Sequence, residues 1–154
     1  MAAEIHLSEP AGLLVIGYGN ELRGDDAVGP RVAIEVAGWK REGLRTMACH
    51  QLTPELADPI AAAGRVIFVD ATVASVGEVS MCEIGPASPS PAIMTHVVDP
   101  QTLLRLAKQV FGRCPQAWWL TVPVENLDFG EKLSPLAQRG LQQALEKIRA
   151  LADG

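Results

Sequence analysis

Short apolar runs that alternate with amphipathic segments are the feature that most constrains how this chain can fold. Leu13–Ile16, Val66–Val69 and Trp118–Val122 are almost entirely apolar. Such runs are typical of strands that are buried on both faces, as they are in parallel sheets. The segment 26–37 instead carries valines at every fourth position, which indicates a helix with one apolar face. Alternation of this kind predicts an α/β fold with a mostly parallel sheet.

The complete pattern predicts a three-layer αβα sandwich, in which a mostly parallel sheet of about five strands has helices on both faces. The strands are predicted at 13–16, 45–50, 66–69, 78–84 and 118–122, and the helices at 26–37, 54–63, from 99 onward and from 134 onward. The fourth strand alternates less cleanly and is expected nearer an edge. No linker is long enough to divide the chain, so residues 1–154 are expected to form one domain.

Local signals add detail to several of these elements. Helices are expected to begin at Thr53, Asp99 and Ser134, because each of these capping residues precedes a proline. On the helix that follows Asp99, the core-facing residues are expected to be Leu103, Leu106, Ala107 and Val110. The side chains of Trp118 and Trp119 should point to opposite faces of their strand.

The cysteines show no C-x-x-C pair and are expected to be free thiols. Cys82 is expected to be a small core residue of its strand. A catalytic pair formed by Cys49 and His50 is disfavoured, because adjacent strand residues point to opposite faces.

Composition excludes several classes of function. The net charge is −5 and no basic patch is present, so nucleic-acid binding is not expected. No apolar run approaches the ~20 residues that span a bilayer. Residues 1–10 carry Glu4 and Glu9 without a basic region, so a signal peptide is not expected and the cytoplasm is the expected location. We expect a monomer, because no apolar helix face exceeds what the core needs.

The loop after the first strand, Gly17 to Asp26, is the segment richest in chemistry. A dinucleotide fingerprint would require glycine in place of Leu22, and a phosphate loop would require lysine in place of Asp25. Two adjacent carboxylates would also repel a phosphate group. The loop therefore disfavours a nucleotide cofactor and favours a cation.

Within this loop, Asp25 is expected to cap the following helix and to leave Asp26 facing the site. Gly17, Gly19 and Gly24 permit tight turns and close backbone approach. Asn20 either binds backbone groups of its own loop or contacts a substrate peptide, and we favour the first role.

Two further residues are expected at the same edge of the sheet. Asp70 directly follows Val66–Val69, and His96 precedes the helix that begins at Asp99. Because the carboxyl ends of parallel strands meet at one edge, Asp26, Asp70 and His96 could converge there. Two carboxylates and an imidazole would form a metal site with open coordination positions, suited to nickel or zinc. The sequence contains neither a G-x-S-x-G elbow nor an H-E-x-x-H motif.

These residues resemble the signature of the nickel–iron hydrogenase maturation protease family. The similar segments are Ile16 to Asn20 and Gly24 to Gly29, while Val66 to Ala71 and Thr95-His96 resemble the family's second acidic strand end and its histidine. The resemblance implies a single-domain α/β endopeptidase. It would remove the C-terminal extension of a hydrogenase large-subunit precursor after nickel insertion.

The resemblance also implies roles for individual residues. Asp26, Asp70 and His96 would recognise nickel carried by the precursor, with an aspartyl-type catalytic role as a secondary assignment. Family members often have Asp-Gly-Gly-Thr where this chain has Ala48 to Leu52. His50 in that stretch either adds a ligand or shapes the substrate groove, or it is simply exposed to solvent. The alternatives are a non-catalytic, metal-checking assembly chaperone and a Rossmann-like nucleotide-binding module.

Overall fold

The computed structural model describes residues 11–73, 77–88, 98–128, 130 and 132–154. The strands are β1 Ala11–Tyr18, β2 Leu44–Cys49, β3 Ala63–Val73, β4 Ser80–Ile84 and β5 Gln116–Val124. The α-helices are α1 Val28–Ala37, α2 Ala57–Ala62, α3 Pro100–Phe111 and α4 Pro135–Asp153. Short 3₁₀ turns, Gly24–Ala27 and Pro54–Leu56, lead into α1 and α2.

The described strands form one five-stranded sheet in the order β2-β1-β3-β5-β4. β2, β1, β3 and β5 are parallel, and β4 pairs antiparallel with β5 at an edge. The predictions of an α/β fold, of a mostly parallel five-stranded sheet and of an edge position for the fourth strand are therefore confirmed.

Alternate strand residues contribute to two separate apolar clusters. Val15 and Ile67 pack in one cluster with residues of α1 and α4, whereas Leu14 and Phe68 pack in the other with residues of α2 and α3. All four of these strand side chains are at most 1% exposed. Burying each stabilises the fold by ~1.5–3 kcal/mol. Trp118 packs against the first cluster and Trp119 against the second, as their predicted opposite orientations require.

The strands are longer than the apolar runs from which they were predicted. β3 continues to Val73, so Asp70 lies within the strand rather than just after it. The pairing of β3 with β1 ends at Gly17 and Val69, although its pairing with β5 continues to Val124. Asp70 therefore lies one residue past the last position where β3 pairs with β1.

Two of the three predicted helix caps form a side-chain hydrogen bond. The side chain of Asp99 accepts a hydrogen bond from the Thr102 N–H at 2.8 Å, and Ser134 accepts one from Ala137 at 3.1 Å. Thr53 holds the predicted N-cap position with Pro54 next, but it precedes a 3₁₀ turn that leads into α2, and its side chain makes no cap hydrogen bond.

Two predicted core residues are exposed. Cys82 lies on the edge strand β4 and faces solvent. Val110 is 65% exposed, since the last turn of α3 extends beyond the cluster that buries Leu103, Leu104 and Ala107. Within the described part of the chain, no helix is long and apolar enough to cross a membrane.

Candidate functional site

Glycines bring the start of α1 against the end of β1. A Cβ atom on Gly17 would lie 1.9 Å from the carbonyl oxygen of Gly29, and one on Gly19 would lie 2.1 Å from that of Asp26. Gly19 also has a φ of +151°, which L side chains rarely adopt. The loop that carries the acidic pair can therefore pack this closely only with glycine at both positions.

Asp25 connects this loop to the segment between β5 and α4. Its carboxylate is fully buried and accepts hydrogen bonds from the Ser134 hydroxyl at 2.6 Å and from the Ser134 N–H at 2.7 Å. The N–H groups of Glu125 and Asn126 donate to it as well, each at 3.0 Å. The capping prediction for Asp25 was wrong: it lies inside the 3₁₀ turn that precedes α1, and the N-cap of α1 is Ala27.

These hydrogen bonds determine the charge of Asp25. Burial alone would raise the pKa of the Asp25 carboxyl, but the bonds from Ser134, Asn126 and Glu125 together outweigh it and hold the pKa below its ordinary value. A buried carboxylate is thus kept ionised by four donors. Asp25 stabilises the loop and does not line the pocket described next.

Asp26 has the opposite orientation and faces a pocket. Its Oδ2 accepts a hydrogen bond from the Asn20 N–H at 2.7 Å, while the side chain of Asn20 accepts one from the Leu22 N–H at 2.9 Å. Asn20 thus binds within its own loop and holds one carboxylate oxygen of Asp26.

A pocket of about 240 Å³ opens at the carboxyl ends of β1 and β2 and beside the exposed end of β3. It is lined by Tyr18, Gly19, Asp26, His50, Gln51, Leu52, Asp70 and Val98. The structure therefore brings Asp26 and Asp70 to one cavity, with the exposed His50 at its wall. The pocket lining does not include Gly17, Gly24 or Asp25, which instead hold the loop that carries Asp26 in place. His96 lies outside the described residues.

Asp70 has an environment suited to a functional carboxyl. Burial is the main cause that raises its pKa, and the neighbouring Asp26 carboxylate raises it further. Interactions with the Tyr18 phenol and the Ala71 N–H act in the opposite direction without cancelling the rise. Burial and the charge of Asp70 in turn raise the pKa of Tyr18, so the phenol keeps its proton and acts as a donor.

Cys49 is a poor candidate for a nucleophile in this site. It is half-buried beside the α2 and α3 cluster, and it is not among the residues that line the pocket. Burial raises the pKa of its thiol, which disfavours the reactive thiolate.

The donors in the described part of the pocket do not form a complete metal site by themselves. Among the described residues, no three of the His, Cys, Asp and Glu side chains lie close enough to hold a metal ion. Asp26 and Asp70 nevertheless offer two carboxylates, and His50 offers an imidazole at the same cavity. Oxygen and imidazole donors of this kind suit several divalent ions, nickel and zinc among them.

Sequence reasoning missed Tyr18, Gln51, Leu52 and Val98 as pocket residues. For Tyr18 a signal was available: Tyr18 follows the first apolar run after a single glycine, and Asp70 directly follows another run, on strands that are neighbours in the sheet. The other three lie in loops, whose positions no periodicity predicts.

Solved structures of known proteins share this architecture. The NiFe hydrogenase maturation protease HycI from Thermococcus kodakarensis KOD1 superposes with a TM-score of 0.72 at 22% identity, covering 96% of each chain. The fold is that of a NiFe hydrogenase maturation protease. The hydrogenase maturating endopeptidase HybD from E. coli gives a TM-score of 0.66 at 23% identity over 91% of each chain. HybD from T. kodakarensis gives 0.68 at 18% identity, covering 92% of this chain and 99% of the other.

The resemblance recognised in the sequence is thereby confirmed at the level of fold. No family model matches the sequence, and no curated protein sequence matches it either. These three neighbours are named as hydrogenase maturation proteases or as a maturating endopeptidase, and they resemble this chain over nearly its whole length.

Proposed function

We propose that this chain is an endopeptidase that removes the C-terminal extension of a nickel–iron hydrogenase large-subunit precursor after nickel has been inserted. The observation that carries the proposal is the placement of Asp26 and Asp70 in one pocket, within a fold shared with maturation proteases. The sheet would be the middle layer of a three-layer sandwich, which the two apolar clusters support.

Nickel would enter the pocket as part of the substrate. The Asn20 N–H holds Oδ2 of Asp26, and no donor among the described residues binds Oδ1. Asp70 lines the same cavity, and carboxylate oxygens are among the ligands that divalent cations bind. In our proposal these two residues and His96 complete the coordination of the precursor's nickel, so that only a loaded precursor is held for cleavage.

A catalytic role for the same residues is the secondary assignment. Hydrolysis requires a base that takes a proton from the attacking water, after which the water oxygen bonds to the scissile carbonyl carbon. The same proton then passes to the leaving amine as the C–N bond breaks. Asp70 suits this role better than Asp25, because Asp70 lines the pocket and burial raises its pKa above the ordinary value, whereas Asp25 is held ionised by four donors. His96 and Asp26 are retained as further catalytic candidates.

Other pocket residues would contact the peptide. His50, Gln51 and Leu52 form one wall directly after β2, and we propose that they contact the extension near the cleavage point. Gly17, Gly19, Asn20, Gly24 and Asp25 would keep the loop in place. We further propose that the protein acts as a monomer in the cytoplasm and uses no nucleotide.

A cleavage assay tests this proposal. The nickel-loaded precursor is incubated with the wild type, Asp26→Asn, Asp70→Asn and the control Asp58→Asn, whose carboxylate is exposed on α2 outside the pocket. We expect loss of a C-terminal peptide with the wild type and the control, and at least a hundredfold slower cleavage with the two pocket variants, an effect of the size that loss of an essential acid–base group produces.

Two results would contradict the proposal. Full activity of both pocket variants would remove the site assignment. Tight binding of the precursor without cleavage, by a folded wild type, would favour the assembly chaperone instead.

A further inference from the structure

Tyr18, Asp70 and Trp119 lie on the same face of the sheet, close to the edge that carries the pocket. β1 pairs with β3 up to Gly17 and Val69, so Tyr18 and Asp70 occupy the next position on each strand. β5 pairs with β3 so that Trp119 is beside Phe68, two residues before Asp70 on the same face. Neighbouring strands are separated by ~4.8 Å, which brings all three side chains within reach of one another.

The three side chains interact in series, with Tyr18 between Trp119 and Asp70. Tyr18 and Asp70 line the same pocket, and the Tyr18 phenol interacts with the Asp70 carboxylate at a geometry short of a full hydrogen bond. The Trp119 indole N–H is buried and has no well-formed hydrogen bond among the described residues. The group that interacts with it is the Tyr18 phenol, at a geometry short of a full hydrogen bond. A phenol has one donor and two acceptor positions, so Tyr18 can serve both neighbours at once.

We propose that Tyr18 is a positioning residue, which holds Asp70 towards the pocket while the Trp119 indole N–H orients the Tyr18 phenol. The functional part of this inference rests on the proposed nickel recognition. Tyr18 would do for Asp70 what the Asn20 N–H does for Asp26, whose Oδ2 it binds at 2.7 Å. Each carboxylate would then have one oxygen fixed by the protein and one free for the substrate's metal.

The pairing of the strands gives the reason that Asp70 needs such a partner. Asp70 is past the last residue of β3 that pairs with β1, so the backbone on its β1 side does not hold it. Its side chain would otherwise sample several rotamers beside an open cavity. A fixed donor removes that freedom before the substrate arrives, which preorganises the site.

One property of the chain makes the contact measurable without any substrate. Tyr18 is the sole tyrosine. Protein labelled with ¹³C at the tyrosine Cζ therefore gives a single resonance, whose position reports the hydrogen bonds of the phenol. We expect this resonance to move in Asp70→Asn and in Trp119→Phe. It should stay in place in Trp118→Phe, the matched control on the opposite face of β5.

Kinetics test the positioning role. We expect Tyr18→Phe to reduce kcat for the nickel-loaded precursor about tenfold with little change in KM, because a lost hydrogen bond to a charged group is typically worth a factor of ten or more. Thermal unfolding of the same variant shows whether the fold is retained.

The outcomes separate this inference from the proposed function. An unmoved Cζ resonance in Asp70→Asn, or wild-type kcat in folded Tyr18→Phe, would overturn it. If the wild type cleaves no precursor, the proposed function fails, while the resonance in Asp70→Asn still decides whether Tyr18 holds Asp70.

Discussion

The same substitution should affect the two adjacent aspartates differently. Asp25→Asn should lower the stability of the fold, whereas Asp26→Asn should abolish cleavage with little change in stability. Asp25→Asn keeps the shape of a buried side chain but replaces one of its oxygens with an NH₂ group. Four donors face those two oxygens, at distances between 2.6 and 3.0 Å. In either orientation of the amide, at least one backbone N–H meets another donor, and the remaining bonds lose the charge that strengthens them.

The expected cost follows from those contacts. A hydrogen bond to a charged group contributes ~1.5–3 kcal/mol and a neutral one ~0.5–1.5 kcal/mol, while an unsatisfied buried donor costs ~1–3 kcal/mol. We therefore expect Asp25→Asn to lower the free energy of unfolding by about 3–5 kcal/mol, in line with other broken buried charge networks. Unfolding in urea, followed by far-UV circular dichroism, measures this loss.

Asp26→Asn is the matched control. Within the described part of the chain, the Asp26 carboxylate accepts one hydrogen bond, from a backbone N–H, and it is only partly buried. Its substitution should cost about 1 kcal/mol or less, while cleavage is lost. Equal losses of stability in the two variants, or a loss below about 1 kcal/mol in Asp25→Asn, would refute the assignment of Asp25 to the scaffold and Asp26 to the site.

Four further predictions follow from the described contacts. Ser134→Ala removes both the hydroxyl bonded to Asp25 and the cap of α4, so urea unfolding should show a loss of about 2 kcal/mol; an unchanged midpoint would contradict this. Because the folded-state pKa of Asp25 is below its ordinary value of 3.8, its stabilisation is complete above that value and lost as pH falls. In acid titrations followed by circular dichroism, the wild type should therefore lose more stability below pH 3.8 than Asp25→Asn does, and equal losses would count against the network. Gly17→Ala should express poorly or unfold at a clearly lower temperature, since its Cβ would lie 1.9 Å from the Gly29 carbonyl oxygen, whereas a normal melting temperature would show that the loop can move apart. His50→Ala should leave the melting temperature unchanged but weaken binding of the nickel-loaded precursor about tenfold by calorimetry, as expected for loss of one charged or metal-directed contact; unchanged affinity would mean that His50 is only exposed to solvent.

The sheet could be predicted because its central strands are buried on both faces. Val66–Val69 and Leu13–Ile16 carry that information in four consecutive residues each. The ends of the strands could not be predicted in this way, since Ala71, Thr72 and Val73 are held in β3 by pairing with β5 rather than by burial. Cys82 was misjudged for a related reason: its strand lies at the edge of the sheet, where one apolar residue does not imply a covered face.

The site could be predicted in part. Asp26 and Asp70 were expected together because the carboxyl ends of neighbouring parallel strands meet, and both line the pocket. The role of Asp25 could not be predicted, because its partners Glu125 and Ser134 are 100 and 109 residues away in the chain. Helix-capping propensity predicted that Asp25 would cap the helix that follows it. In the structure its carboxylate is instead bound by donors that are distant in the sequence. The prediction for His96 stays a prediction, since that residue lies outside the described part.

The most direct test of the central claim is the mass of the large-subunit precursor after incubation with the wild-type protein, with the precursor either nickel-loaded or metal-free. We predict that the loaded precursor loses one C-terminal peptide and that the metal-free precursor keeps its full mass. Equal cleavage of both forms would contradict recognition of the substrate's nickel by the Asp26 and Asp70 pocket, and cleavage of neither by the folded protein would contradict the endopeptidase itself.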